Sequence, residues 1–152
     1  MVTMHGTCVL VSDIGVLLRG GPGSGKSDLA LRLIDRGARL VADDQVCVRV
    51  DGDRVIAAAP PSLAGWLEVR GVGILPAPSV TSADLRLIVD LVARDRVERL
   101  PDVERETILS VALPRLTLHP FDASADAKLR LAAAAARDGT LGCVPAAMAA
   151  FP

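Results

Sequence analysis

Residues Gly20-Gly21-Pro22-Gly23-Ser24-Gly25-Lys26-Ser27 satisfy every required position of the phosphate-loop pattern G-x-x-x-x-G-K-[ST]. The pattern restricts the fold because it works only between a buried strand and the N-terminus of a helix. Val16-Leu17-Leu18 supplies a short apolar run before it, and Asp28 to Arg36, rich in helix formers and closed by Gly37, follows it. The order strand, loop, helix predicts an α/β architecture with a nucleoside triphosphate site. Glycines let successive backbone N–H groups turn around a phosphate, Lys26 reaches the β- and γ-phosphates, and the Ser27 hydroxyl is placed to ligate Mg²⁺. The positive end of the helix dipole adds to the same site.

Composition narrows the class. A chain of 152 residues is expected to fold as a single domain, 1–152, with residues 146–152 a loosely ordered terminus. Seventeen basic and eighteen acidic residues leave a formal charge of −1, and two Phe, one Trp and no Tyr offer little for base stacking, which argues against nucleic acid as the main partner. No apolar run approaches the ~20 residues of a membrane span, and the start lacks a signal-peptide pattern, so a soluble cytoplasmic protein is expected. Cys8, Cys47 and Cys143 are far apart and match no zinc or disulfide spacing.

Further elements are expected along the chain. Thr7–Val11 and Gly15–Arg19 form a hairpin into the loop, Arg39–Val41 is a strand, and Val46–Val50 with Val55–Ala57 forms a hairpin around Asp51-Gly52-Asp53. Trp66–Arg70 and Leu85–Val92 read as strands, Val103–Ala112 as a weakly patterned helix, and Asp126–Arg137 as a helix closed by Gly139. Two places offer acids for phosphoryl chemistry. Leu87-Ile88-Val89-Asp90 has the shape of a conventional second metal motif, whereas Leu40-Val41-Ala42-Asp43-Asp44 ends a strand with adjacent carboxylates. In an extended segment these would face opposite sides, one toward Mg²⁺ and one toward an acceptor hydroxyl, a division that suits a kinase.

His5-Gly6, the loop Gly20 to Ser27, Leu40 to Asp44, and Leu67-Glu68-Val69-Arg70-Gly71-Val72-Gly73-Ile74 stand in the order and close to the spacing of one known family. Over roughly residues 5 to 100 the chain resembles the catalytic domain of HPr kinase/phosphorylase, in a compact form lacking the N-terminal domain of longer members. The resemblance implies a P-loop kinase fold of the HPr kinase and phosphoenolpyruvate carboxykinase-like type, with a mixed sheet and flanking helices. It implies ATP and Mg²⁺ as cofactors, serine phosphorylation of a small HPr-type phosphocarrier protein, possible reversal with inorganic phosphate, and a hexamer. It also implies that Asp44 is the general base, that His5, Lys26 and Arg99 are catalytic, and that Ser27, Asp43 and Glu68 lie at the metal. The family's later arginine-rich loop, tied to dephosphorylation, falls near Leu116–Ala123, which here has no arginine. His119 receives no role. The alternatives are a small-molecule kinase, which usually closes an arginine-bearing lid over its acceptor, and a non-catalytic nucleotide-sensing module, against which His5, Asp44 and Glu68 together speak.

Overall fold

The computed structural model describes residues 1–145; the terminus 146–152 lies outside the described residues. Among the described residues, eleven strands and two α-helices occur in the order β1 Val2–His5, β2 Thr7–Val11, β3 Ile14–Arg19, α1 Lys26–Asp35, β4 Arg39–Ala42, β5 Gln45–Asp51, β6 Arg54–Ala58, β7 Trp66–Val69, β8 Gly73–Pro76, β9 Ala83–Leu91, β10 Glu104–Ile108, β11 Val111–Leu118 and α2 Ala125–Asp138. Nine strands form one mixed sheet in which β1-β5-β6-β9-β3-β2-β4 are successive neighbours and β11 joins β9 to β10; β7 and β8 form a separate ribbon. The expected α/β class with a mixed sheet and flanking helices is what the chain adopts.

Local sequence accounts for most of the turns. The β2–β3 hairpin closes through Ser12 and Asp13, both with positive φ, as a tight two-residue turn matching strand twist requires. Gly52 serves the β5–β6 hairpin in the same way, where Asp51 pairs with Arg54. The long strand β9 is the spine of the sheet. One edge pairs in parallel with β3 from Gly15–Leu85 to Arg19–Asp90. The other edge is shared, antiparallel to β6 at Ala83–Leu85 and parallel to β11 at Ile88–Leu91.

Being buried on both faces, the central strands read as continuous apolar runs. Val16, Leu18, Leu87 and Val89 meet Leu29 and Leu33 of α1 and Leu129 and Ala133 of α2 in one core cluster. Leu17, Leu85 and Ile88 point the other way, into a second cluster with Val46, Val48, Val55, Ile108 and Leu113. Cys8 belongs to that second cluster, and burial pushes its thiol up to about 12, so it is a small hydrophobe at neutral pH.

The helix expected over Val103–Ala112 is a correction: Glu104–Ile108 is a strand, and Leu109 and Ser110, both at positive φ, turn it into β11. Thr107, Ile108 and Val111 are β-branched and suit a pleated surface. The free edge of β9 then completes the pairing through β11, a long-range term that the local pattern cannot report.

Asp90 has a task other than metal binding. Its Oδ1 accepts from Arg19 Nε at 2.7 Å, and its Oδ2 accepts from Arg19 Nη2 at 3.0 Å and Arg115 Nη1 at 2.9 Å. Glu106 takes two more Arg19 donors, at 2.6 and 2.8 Å, and Arg115 also donates to Glu104. The network links β3, β9, β10 and β11 directly beneath the phosphate loop. Burial raises the Asp90 carboxyl, but the two guanidinium groups outweigh it and hold it below the usual value; the Arg19 hydrogen bonds lower Glu106 likewise. Folded-state values below the unfolded ones mean stabilisation that is fully present above about pH 4 and lost as pH falls through the lowered values. Asp90→Asn should therefore cost roughly 2 kcal/mol at neutral pH, and the gap from the parent should narrow below about pH 4. Thermal unfolding across a pH series checks this; a gap independent of pH would contradict it.

Candidate active site

Gly20 to Gly25 leave the end of β3 and deliver the chain into α1. Gly23 and Gly25 have φ of 73° and 96°, left-handed values that glycine reaches at no steric cost. Gly25 is the N-cap of α1 and contributes no side-chain hydrogen bond, so the first-turn N–H groups are left for an anion. Lys26 Nζ folds back on the loop, donating to Gly20 O at 2.7 Å and Gly21 O at 3.1 Å. A flexible ammonium so placed can swing to a phosphate that enters the loop.

Asp43 is the hub of the opposite wall. Its Oδ1 accepts from Thr7 Oγ1 at 2.9 Å and from Ser27 Oγ at 3.2 Å, and its Oδ2 accepts from the Glu68 backbone N–H at 3.1 Å. One carboxylate thereby draws together β2, the first turn of α1 and the ribbon strand β7. Thr7 is fully buried and was missed as a site residue; only the β2–β4 pairing of Cys8 with Ala42 brings it beside Asp43. Ser27, Asp43 and the exposed Glu68 offer one hydroxyl and two carboxylates, a hard-oxygen donor set that fits Mg²⁺ shared with substrate phosphates. Among the described residues, no three His, Cys, Asp or Glu side chains converge as a metal cage without such a substrate.

Asp43 and Asp44 form a bend between β4 and β5 instead of continuing an extended strand. Asp44 takes φ of 69°, and this left-handed turn separates the two carboxylates. The division of direction expected from strand alternation thus arises by a different route. Asp44 Oδ1 lies 3.5 Å from His5 Nδ1, with the two side chains 68% and 60% exposed to the cleft. The backbone holds them there: His5 pairs with Gln45 in the β1–β5 ladder, and Gly6 N donates to Asp44 O at 3.1 Å.

His5, Thr7, Pro22 to Ser27, Asp43, Asp44 and Glu68 all line one cleft of about 460 Å³, which Phe121 and Arg70 complete. Gly20 and Gly21 are not among the lining residues and touch the site through their carbonyls, which accept from Lys26. Arg99 is not brought to it. That residue sits exposed on a bend after the turn Arg94–Arg96 and is not among the residues that line the cleft.

A phosphate loop with a carboxylate-bound hydroxyl, facing a second, exposed carboxylate, defines a phosphate-loop kinase type of domain. Comparison with known proteins then identifies its kin. A family model described as HPr Serine kinase C-terminal domain matches residues 1–139, and the chain belongs to that family. The HPr kinase/phosphorylase of Geobacillus thermodenitrificans (strain NG80-2) is 40% identical over a segment that covers 76% of this chain and 41% of that protein. The HPr kinase/phosphorylase of Burkholderia lata is 43% identical, covering 74% of this chain and 38% of that protein. The matched segment therefore covers only about two-fifths of the length of these relatives. The solved structure of the Hpr(Ser) kinase/phosphatase from Coxiella burnetii superposes with a TM-score of 0.77 at 26% identity, covering 91% of each chain.

Gly25 is a sensitive point of the site. A Cβ there would lie 3.0 Å from Pro120 Cβ and from Phe121 Cζ, on a backbone at positive φ. Gly25→Ala should lower stability by about 1 to 2 kcal/mol from the left-handed conformation alone, and should displace the Phe121 ring. Thermal unfolding, with the ring's NMR shifts as a second readout, tests this.

Proposed function

We propose that this chain transfers the γ-phosphoryl group of ATP to a serine of a small HPr-type phosphocarrier protein. The observation that carries the reading is the exposed His5–Asp44 pair, which faces a phosphate loop whose Ser27 hydroxyl is already bound to Asp43. Family membership and the printed names of the relatives support the acceptor class.

In this reading the loop N–H groups and Lys26 hold the phosphates in place and balance the charge that builds on them as the bond to the leaving oxygen breaks. Ser27, Asp43 and Glu68 would hold Mg²⁺, which supplies charge neutralisation at the phosphate oxygens when bound. Asp44 takes the proton of the acceptor hydroxyl while that oxygen bonds to phosphorus. His5, at 3.5 Å, orients the Asp44 carboxylate toward the cleft. Thr7 acts through Asp43, keeping that carboxylate aligned with Ser27.

Incubation with labelled ATP, Mg²⁺ and an HPr-type protein tests the proposal. Label is expected on a serine of the protein; label on a metabolite, or on nothing, would refute it. Lys26→Ala should abolish transfer. Asp44→Asn should still bind nucleotide yet lose about 10²- to 10⁴-fold in rate, the range expected for a missing general base. Full activity of Asp44→Asn would pass the base role to another group.

The reverse reaction with inorganic phosphate is expected to be weak. Leu116–Ala123, the expected place of the family's basic loop, contains no arginine, and the neighbouring Arg94 is committed to Asp122 at 2.7 Å. Bidentate guanidinium groups are the usual means of holding an attacking phosphate. Pyrophosphate release from phosphorylated HPr-type protein at a rate matching the forward reaction would contradict this expectation.

A further inference from the structure

Phe121 is 59% exposed, one of only two Phe in the chain, and it stands in the wall of the cleft. Its ring edge rests on Gly25, with Cζ and Cε1 placed 3.0 and 3.1 Å from where a Cβ would be. The segment carrying it is held from several directions. The Pro120 and Asp122 carbonyls accept from Arg32 of α1, the Asp122 carboxylate accepts two hydrogen bonds from Arg94 at 2.9 and 2.7 Å, and His119 Nδ1 lies 2.9 Å from Val92 O. The His119 ring meets Phe121 edge-on with centroids 5.8 Å apart at 76°. That contact leaves much of Phe121 open to the cleft. What sets this ring apart from the chain's other exposed apolar side chains is its fixed place in the wall of the cleft, where binding sites put the apolar surface that meets a ligand.

The geometry of α1 says which part of a nucleotide arrives there. Ser27 faces Asp43 and Arg32 faces the Pro120–Asp122 segment; five residues of helix place these directions roughly 140° apart. Sheet order repeats the separation. On one side of β3 lie β2 and β4, which lead to Asp43, and on the other lie β9 and β11, which lead to Phe121. With the terminal phosphate at the Ser27, Asp43 and Asp44 wall, the phosphate chain crosses the loop and the sugar and base emerge on the Phe121 side.

We propose that the open face of Phe121 is the nucleobase platform of this site, taking a purine by stacking. The inference rests on the reading of the loop as a nucleoside triphosphate site. Stacking reads the π-face of a base and not its edge, so ATP and GTP should depend on the ring alike.

The test compares ATP, GTP and inorganic tripolyphosphate, each with Mg²⁺, by titration calorimetry on the full chain. Phe121→Ala should weaken ATP and GTP by about 5- to 100-fold, the cost of one lost stacking contact, while tripolyphosphate binds as to the parent. Phe121→Trp should restore nucleotide affinity. Phe121→Leu, which keeps apolar bulk on Gly25, should share the nucleotide-selective loss and covers the case in which the alanine variant fails to fold. Equal loss for nucleotides and tripolyphosphate would make the ring a mere prop for the loop and overturn the proposal. Unchanged ATP affinity in Phe121→Ala or Phe121→Leu would overturn it while leaving the phosphate loop intact. A parent chain that binds neither ATP nor tripolyphosphate would remove the loop reading and this one together.

Discussion

The Asp43 carboxylate is the interaction on which the site depends. Its oxygens meet a hydroxyl from β2, a hydroxyl from the first turn of α1 and a backbone N–H from β7, so one side chain ties three elements together. Hydrogen bonds to a charged acceptor are worth about 1.5 to 3 kcal/mol each when sheltered. They also set direction, holding the Ser27 hydroxyl and the Glu68 backbone against the same carboxylate. Leu67, fully buried in the core beside Leu29 and Leu40, anchors the ribbon mechanically, and Asp43 sets its orientation.

Below this hub the Arg19–Asp90–Arg115 network plays a corresponding part for the phosphate loop. Arg19 is the last residue of β3, so the strand end that launches Gly20 is clamped by four side-chain hydrogen bonds before the glycines begin. A loop built from glycine has little stiffness of its own. Its geometry comes from what holds its two ends, the β3 clamp on one side and the packed helix α1 on the other.

How much of this was legible in the sequence depended on whether the information was local. Gly20 to Ser27 between an apolar run and a helix was legible because each residue has a backbone or ligand task that depends on its immediate neighbours. The β5–β6 hairpin was legible for the same reason, through Asp51 and Gly52. Glu104–Ile108 was not, because short runs of mixed polarity take their state from the pairing partner, and the open edge of β9 lies far away in sequence. β1 escaped notice likewise: four residues become a strand only when Gln45–Val48 presents an edge. Thr7 and Phe121 reach the cleft through tertiary placement and have no motif to announce them. Asp90 shows the converse, an apolar run ending in Asp that has the shape of a metal motif while its carboxylate accepts from Arg19 and Arg115.

The left-handed backbone at Asp44 carries an evolutionary consequence. Most side chains strain such a conformation, while Asp, Asn and Gly tolerate it. Glutamate would keep the charge but lose the backbone fit and carry the carboxylate one methylene past its place beside His5. Asn and Gly each lie a single-base change from the Asp codons, and both preserve the bend while deleting the carboxylate. The fold is thus most permissive toward the substitutions that silence the chemistry, and a descendant could shed the proposed transfer activity and keep the nucleotide cleft, becoming a folded binder in one mutational step.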